Sequence, residues 1–244
     1  MGIYVTNERG LQNVKNIYIA SDAFVNEYLQ SFTWLKGDGN NFIAAYRPIP
    51  GSNINKSKDI TMRAIVKIDD LRDIGKRTAL SGASSVIDGI RGRYLSIAFY
   101  RKDADTFSVG YFGCVDASKE LEFFGDYHIG DVLDIEGAET TLKVNGITYN
   151  KTTEEMARNL SIMAVLHSAD VLGDKKFNAS VSRLQYIAKG VVYSDLIPAK
   201  VIKELPAELS YTNVSMPVGT VGMWDKINEK FLTSASTNNW ILTN

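Results

Sequence analysis

The sequence predicts an all-β protein, an antiparallel jelly-roll β-sandwich, and three observations point there. Apolar residues recur at every second position through several segments, and short polar turns separate those segments. Only one weakly helical stretch interrupts them, which favours two packed antiparallel sheets over an alternation of strands and helices. At 244 residues, 45% hydrophobic and 23% charged, the chain can bury roughly 70% of its extended surface, enough for one large sandwich or two small domains, of which one large domain with appendages is the preferred reading.

The elements follow in order. Residues 14–25 read as a short strand, a turn and another strand, too small to bury a face alone, so this segment is expected to dock, either on the sandwich edge or on a larger particle. From Ile60 to Ile68 the residues Ile60, Met62, Ala64, Val66 and Ile68 alternate with Thr61, Arg63, Ile65 and Lys67, the period of a strand with one face in a core. Leu95, Ile97 and Phe99 repeat the pattern. After the polar turn Lys102-Asp103-Ala104-Asp105, Phe107, Val109 and Tyr111 repeat it again, giving an antiparallel hairpin. Leu133 and Ile135 alternate with Asp134 and Glu136. Leu142 and Val144 then lead into Asn145-Gly146, whose tolerance of positive φ suits a type I′ turn before Ile147 and Tyr149. Thr152 to Leu160 holds good helix formers and is expected to make two turns on the surface. Ser161–His167 and Lys176–Ile187 are two further strands, the second with Leu184 and Tyr186 on one face and Arg183 and Gln185 on the other. No repeat of fixed period is present, which disfavours a solenoid or propeller.

Charge and composition exclude several functions. The net charge of −1, from 27 basic and 28 acidic residues without a long like-charge block, excludes a polyelectrolyte-binding stripe, and nucleic acid is not an expected partner. No apolar run approaches the ~18 residues of a membrane span, so membrane insertion is not expected. Met1 to Arg9 lack the basic head and apolar stretch of a signal peptide, so export by the usual route is not expected either. Cys114 is the sole cysteine, which rules out an intrachain disulfide or a cysteine-based zinc site and fits folding in a reduced cytoplasm.

Catalytic patterns are missing. A Glu-x-Asp-x-Glu strand would aim paired carboxylates into one cleft. The nearest run here, Asp134-Ile135-Glu136, reads as the solvated side of an amphipathic strand. Ser84 lies in Ser81-Gly82-Ala83-Ser84-Ser85, without nucleophile-elbow spacing. His128 and His167 have no second ligand or carboxylate at metal or triad spacing. Gly37-Asp38-Gly39-Asn40-Asn41 is rich in oxygen ligands but lacks the ordered series of a calcium loop, and turn chemistry accounts for it. The expectation is therefore no catalytic residue, no metal, no cofactor and no enzymatic activity. For ligand recognition the candidates are Trp34, Arg93, Tyr94, Tyr100 and Tyr111, since aromatic faces stack on sugar rings and arginine supplies several oriented donors. Burial or cross-strand pairing is the competing role of each.

The C-terminal third carries the most specific signal. Val191-Val192-Tyr193-Ser194-Asp195-Leu196-Ile197-Pro198-Ala199 is followed by Val221-Gly222-Met223-Trp224-Asp225 and then Lys230-Phe231-Leu232-Thr233-Ser234-Ala235. Val192–Ala199 is similar to the pattern LVRDFIPA, and Gly222–Ala235 to GMYDxVxNKFFTNA, with Trp224 in place of Tyr and Leu232 in place of Phe. In these segments the chain resembles concanavalin A-like (laminin G-like) jelly-roll domains of bacteriophage and prophage fibre proteins, over residues 32–240 and most sharply from Ser180 onward. Lys15-Asn16-Ile17-Tyr18-Ile19 is similar to short segments that precede such domains.

The resemblance implies a virion protein: a tail, baseplate or head fibre or decoration, assembled in the host cytoplasm and homo-oligomeric in the particle. Residues 1–30 would attach to other virion proteins, residues 31–200 would form the sandwich, and residues 201–244 an extension and hairpin covering it. Pro198 suits a strand end or edge. Trp224, Phe231 and Trp240 are expected to supply apolar area to lay on the sandwich, with sugar stacking as the alternative role. The stretch Lys203 to Tyr211 is longer than the family pattern and is expected to form a loop contacting a neighbour. A non-enzymatic module displayed to bind host surface glycan, or serving particle assembly, is the leading expectation. A glycan-cleaving enzyme of the jelly-roll glucanase type and a purely structural virion component are the alternatives.

Overall fold

The computed structural model describes residues 4–7, 10–13, 27–36, 42–44, 53–54, 60–70, 78–84, 94–112, 122–138, 140–151, 160–161, 165–167, 178–233 and 241–244. The strands in chain order begin with β1 Tyr4–Asn7, β2 Gly10–Asn13, β3 Leu29–Ser31, β4 Trp34–Lys36, β5 Phe42–Ala44 and β6 Asn53–Ile54. The middle of the chain gives β7 Ile60–Asp70, β8 Thr78–Ser84, β9 Tyr94–Arg101, β10 Thr106–Phe112, β11 Phe124–His128, β12 Val132–Gly137, β13 Thr141–Val144, β14 Ile147–Asn150, β15 Leu160–Ser161 and β16 Val165–His167. The last five are β17 Asn178–Ala188, β18 Val191–Val201, β19 Val221–Asp225, β20 Lys230–Thr233 and β21 Ile241–Thr243.

They form the predicted all-β, antiparallel jelly-roll sandwich. A six-stranded sheet runs β11-β10-β9-β8-β16-β5, and an eleven-stranded sheet runs β14-β13-β12-β7-β17-β18-β19-β20. In the large sheet β4 pairs with the start of β17 and carries β21 on its other side, while β3 pairs with the end of β18. Thus β17 and β18, eleven residues each, overlap for only half their length, and the short N-terminal strands fill the free flanks. β1 and β2 pair with each other as a separate hairpin. The expected strand-turn-strand at 14–25, the oxygen-rich loop at 37–41 and the expected helical turns from Thr152 up to residue 159 lie outside the described residues, while Leu160, the last residue of those turns, begins β15.

The period-two pattern becomes burial. Met62, Ala64, Val66 and Ile68 of β7 are sealed from solvent, as are Leu133 and Ile135 of β12 and Leu184 and Tyr186 of β17. Opposite them the smaller sheet contributes Ile97, Phe99, Phe107, Val109, Tyr111 and Tyr127 to the same core, with Phe99 and Phe107 edge to face at 5.7 Å between centroids. Each fully buried large apolar side chain contributes about 1.5–3 kcal/mol relative to exposure. Gly137 faces Tyr111, whose ring lies 2.3 Å from where a Cβ would stand. Only glycine lets the two sheets approach so closely there.

Asn145 and Gly146 adopt φ of 49° and 85°, as a type I′ turn requires. The Asn145 side chain accepts from Asp134 N at 2.8 Å and donates to Val132 O at 3.1 Å, tying the hairpin to β12. Lys189 and Gly190 repeat the geometry, φ 49° and 76°, between β17 and β18.

The C-terminal hairpin joins the sheet edge to edge. β19 pairs with β18 and β20 with β19, so Met223 and Leu232 face the main core while Trp224 and Phe231 point the other way. Residues 202–220 fold back as a strap over that opposite face, where Leu205 and Met216 close a second core with Leu29, Ala199, Val201, Trp224 and Phe231. The strap is bonded backbone to backbone through Leu205 and Met216, and Ile202 N donates to Tyr28 O at 2.8 Å.

Candidate functional site

On the face of the large sheet turned away from the main core, strand register assembles one polar row. Thr148, Lys143, Glu136, Arg63, Gln185 and Asp195 are successive cross-strand partners from β14 to β18. Their positions follow from alternation, because their chain neighbours Leu142, Ile135, Met62, Leu184 and Leu196 point into the core.

Two arginine–carboxylate forks brace this row. Arg63 donates through Nε to Asp134 Oδ1 at 2.9 Å and through Nη2 to Asp134 Oδ2 at 2.5 Å. Arg183 donates through Nε to Asp195 Oδ1 at 2.7 Å and through Nη2 to Asp195 Oδ2 at 2.6 Å. The hydrogen bond from Arg63 holds the Asp134 carboxyl below the usual carboxylate range against the opposing effect of burial, and the same bond raises Arg63. Arg183 is raised by its bond to Asp195. Both forks keep a half-exposed arginine, so each is worth about 0–1 kcal/mol of stability. Their consequence is geometric: each planar guanidinium is held in a fixed orientation, with further N–H groups left for a ligand.

The strap stands beside this floor, and Asp225 anchors it. This carboxylate is fully buried at the end of β19. It accepts from Ser194 Oγ at 2.5 Å, Tyr211 Oη at 2.7 Å and Asn228 Nδ2 at 2.9 Å. It also accepts from the backbone N–H of Asp195 at 3.2 Å, Ile227 at 3.0 Å and Asn228 at 3.3 Å. Burial first, and then the Asp225 charge, push the Tyr211 hydroxyl above the ordinary range, so it stays a donor. Val192–Asp195 and Gly222–Asp225, parts of the two sequence patterns, are thereby bonded to each other.

The residues expected from sequence to bind ligand are not brought together. Trp34 is half-buried on β4, with Lys67 Nζ over its ring at 5.6 Å. Tyr100 is half-buried on β9 in the other sheet, packed at 5.3 Å against Phe123 and opposite Ser108. Tyr94 begins β9, paired with Ser84, and Arg93 lies outside the described residues. Tyr111 requires correction: at 2% exposure it is a core residue, its ring seated on Gly137 because β10 turns its odd-numbered positions inward. Trp224 and Phe231 are buried under the strap, and Trp240 lies outside the described residues. His128 is exposed beside Asp131, while His167 and Ser84 lie on β16 and β8. The residues the pattern reading passed over, Arg63, Gln185 and Arg183, carried one signal: they fill the polar half of amphipathic strands.

No protein-family model matches the chain, and no curated protein does. Among solved structures it is similar to a heptameric SAP-like pentraxin from Limulus polyphemus, at 9% identity over 65% of this chain and 74% of that one, TM-score 0.43. It is similar to an alginate lyase from Pseudomonas aeruginosa, at 13% identity over 56% and 68%, TM-score 0.37. It is also similar to a family 18 polysaccharide lyase, at 11% identity over 67% and 95%, TM-score 0.35. The expectation of no enzymatic activity is opposed, weakly, by the names of two of the three, both lyases at 13% and 11% identity. The missing Glu-x-Asp-x-Glu strand bears on a paired-carboxylate hydrolase and on no other chemistry.

Proposed function

We propose that the chain is a carbohydrate-recognising sandwich module carried on a phage particle, with the outer face of its large sheet as the ligand-binding surface. The observation that supports this reading is the polar row from Lys143 to Asp195, braced by two arginine–carboxylate forks. Oriented N–H donors and carboxylate acceptors along one sheet face suit a ligand that offers many hydroxyls. Placement on a virion is supported by the resemblance of Val192–Ala199 and Gly222–Ala235 to phage fibre domains. Residues 1–30 then attach to other virion proteins, and copies of the chain assemble in the particle.

The test applies purified full-length chain to a glycan array and to host cells, with mass spectrometry of purified virions in parallel. Binding to at least one surface glycan, lost on Arg183→Ala with the fold intact, is expected, together with the chain's peptides in the virion. Silence on array and cells removes the recognition reading, and absence from virions removes the particle. Assaying the same incubations for released sugar ends reads turnover directly.

A further inference from the structure

Resting on the reading of that face as a glycan site, we propose that its ligand is a neutral, hydroxyl-rich glycan and that Gln185 is the residue that hydrogen-bonds it. Two independent observations carry this. The first is charge balance. Along the row and its diagonals, Lys143, Arg63 and Arg183 stand against Glu136, Asp134 and Asp195, three cations to three anions. Both guanidinium groups are already forked onto a carboxylate, while Lys143 shares its cross-strand position with Glu136 without an ion pair between them. A uronate or sulfated chain would find Lys143 as the one cation of the row outside a fork, and would meet Asp134 and Glu136 beside it. A neutral glycan meets no such penalty.

The second observation is Gln185 itself. It lies at the centre of the row, between Arg63 on β7 and Asp195 on β18, and is only 7% exposed. Among the described residues its amide has no hydrogen-bond partner. Ser108 Oγ and Trp224 Nε1 are the polar side-chain atoms sealed from water without a partner, so the Gln185 amide, which is not among them, reaches the surface. A group that both donates and accepts is the complement of a sugar hydroxyl, which does the same.

The experiment measures binding of the full chain to β-glucan, α-mannan and polygalacturonate at low and high salt. Expected is binding to a neutral polymer, with affinity changing by less than about twofold across the salt range because no net charge is exchanged. Gln185→Leu should weaken it about tenfold, the loss of hydrogen bonds to one side chain. Gln185→Glu keeps the shape and should weaken it too, which covers the case in which the leucine variant does not fold. Asp134→Asn releases Arg63 and should admit polygalacturonate. Binding confined to polygalacturonate with steep salt dependence overturns neutrality while leaving the glycan site in place. Unchanged affinity in a folded Gln185 variant overturns the role of that residue. Absence of binding to any glycan, on these polymers and on the array, removes the site and the inference together.

Discussion

Removing the Asp225 carboxylate should be among the most damaging single changes available in this chain. Asp225→Ala deletes one acceptor group, but the groups left behind set the cost. Ser194 Oγ, Tyr211 Oη and Asn228 Nδ2 lose a charged acceptor at 2.5, 2.7 and 2.9 Å, and backbone N–H groups of Asp195, Ile227 and Asn228 lose theirs. Each buried donor left unsatisfied costs about 1–3 kcal/mol. Some will find water once the cavity opens, so the sum does not apply, and about 3–5 kcal/mol is the working figure. Asp225→Asn keeps Oδ1 for the backbone donors but turns an amide N–H₂ toward Asn228 Nδ2, another donor, for about 1–3 kcal/mol. Tyr211→Phe removes one bond to a charged acceptor, about 1.5–3 kcal/mol, and loosens the strap alone. Urea unfolding followed by tryptophan fluorescence gives the three values from the midpoints, provided the slopes agree. A loss under about 1 kcal/mol for Asp225→Ala would refute the assignment of this carboxylate as the anchor of the strap.

Other expectations follow from the same geometry. Gly222→Ala sets a Cβ 2.0 Å from Leu232 O, a backbone atom of a paired strand, so it should abolish soluble expression or cost more than the ~1–3 kcal/mol of ordinary overpacking, read by thermal melting. Trp224→Phe should cost less than Trp224→Ala, about 1–2 against 3–5 kcal/mol, because Nε1 has no partner to lose. Asp134 has a depressed pKa, so its contribution is present above its unfolded value near ~4 and is lost as pH falls through the folded one. The stability gap between wild type and Asp134→Asn should therefore be under about 1 kcal/mol at neutral pH and close in acid, measured by urea titrations across pH. Asn145→Ala should cost about 1–2 kcal/mol, as a side chain bonded twice to β12 is lost from a left-handed position.

Sequence periodicity made the strand faces legible and left their assembly unread. Ile60 to Ile68 declared both its buried side and its polar one, and Asn145-Gly146 declared a turn, because alternation and positive φ are local properties. Arg63 and Asp134, by contrast, lie 71 positions apart, and only the register between β7 and β12 makes them neighbours. Aromatic side chains were the expected ligand groups, yet Tyr111 was needed to fill the space over Gly137, and the ring alone could not disclose which sheet face it would take. The strap was illegible for another reason. Leu205, Leu209 and Met216 stand at a spacing that would suit a helix, yet the strap holds only a single 3-10 turn at Ala207–Leu209, so their positions are set by the shape of the hollow they fill rather than by a regular element.

β19 and β20 are lipophilic on both sides, Met223 and Leu232 one way, Trp224 and Phe231 the other. Such a ribbon has no wet side to offer, so hairpin and strap must be inherited as one cassette. A graft or truncation that keeps the hairpin and drops residues 202–220 would hand the solvent an indole and a phenyl ring, and the product would clump before it could recognise anything.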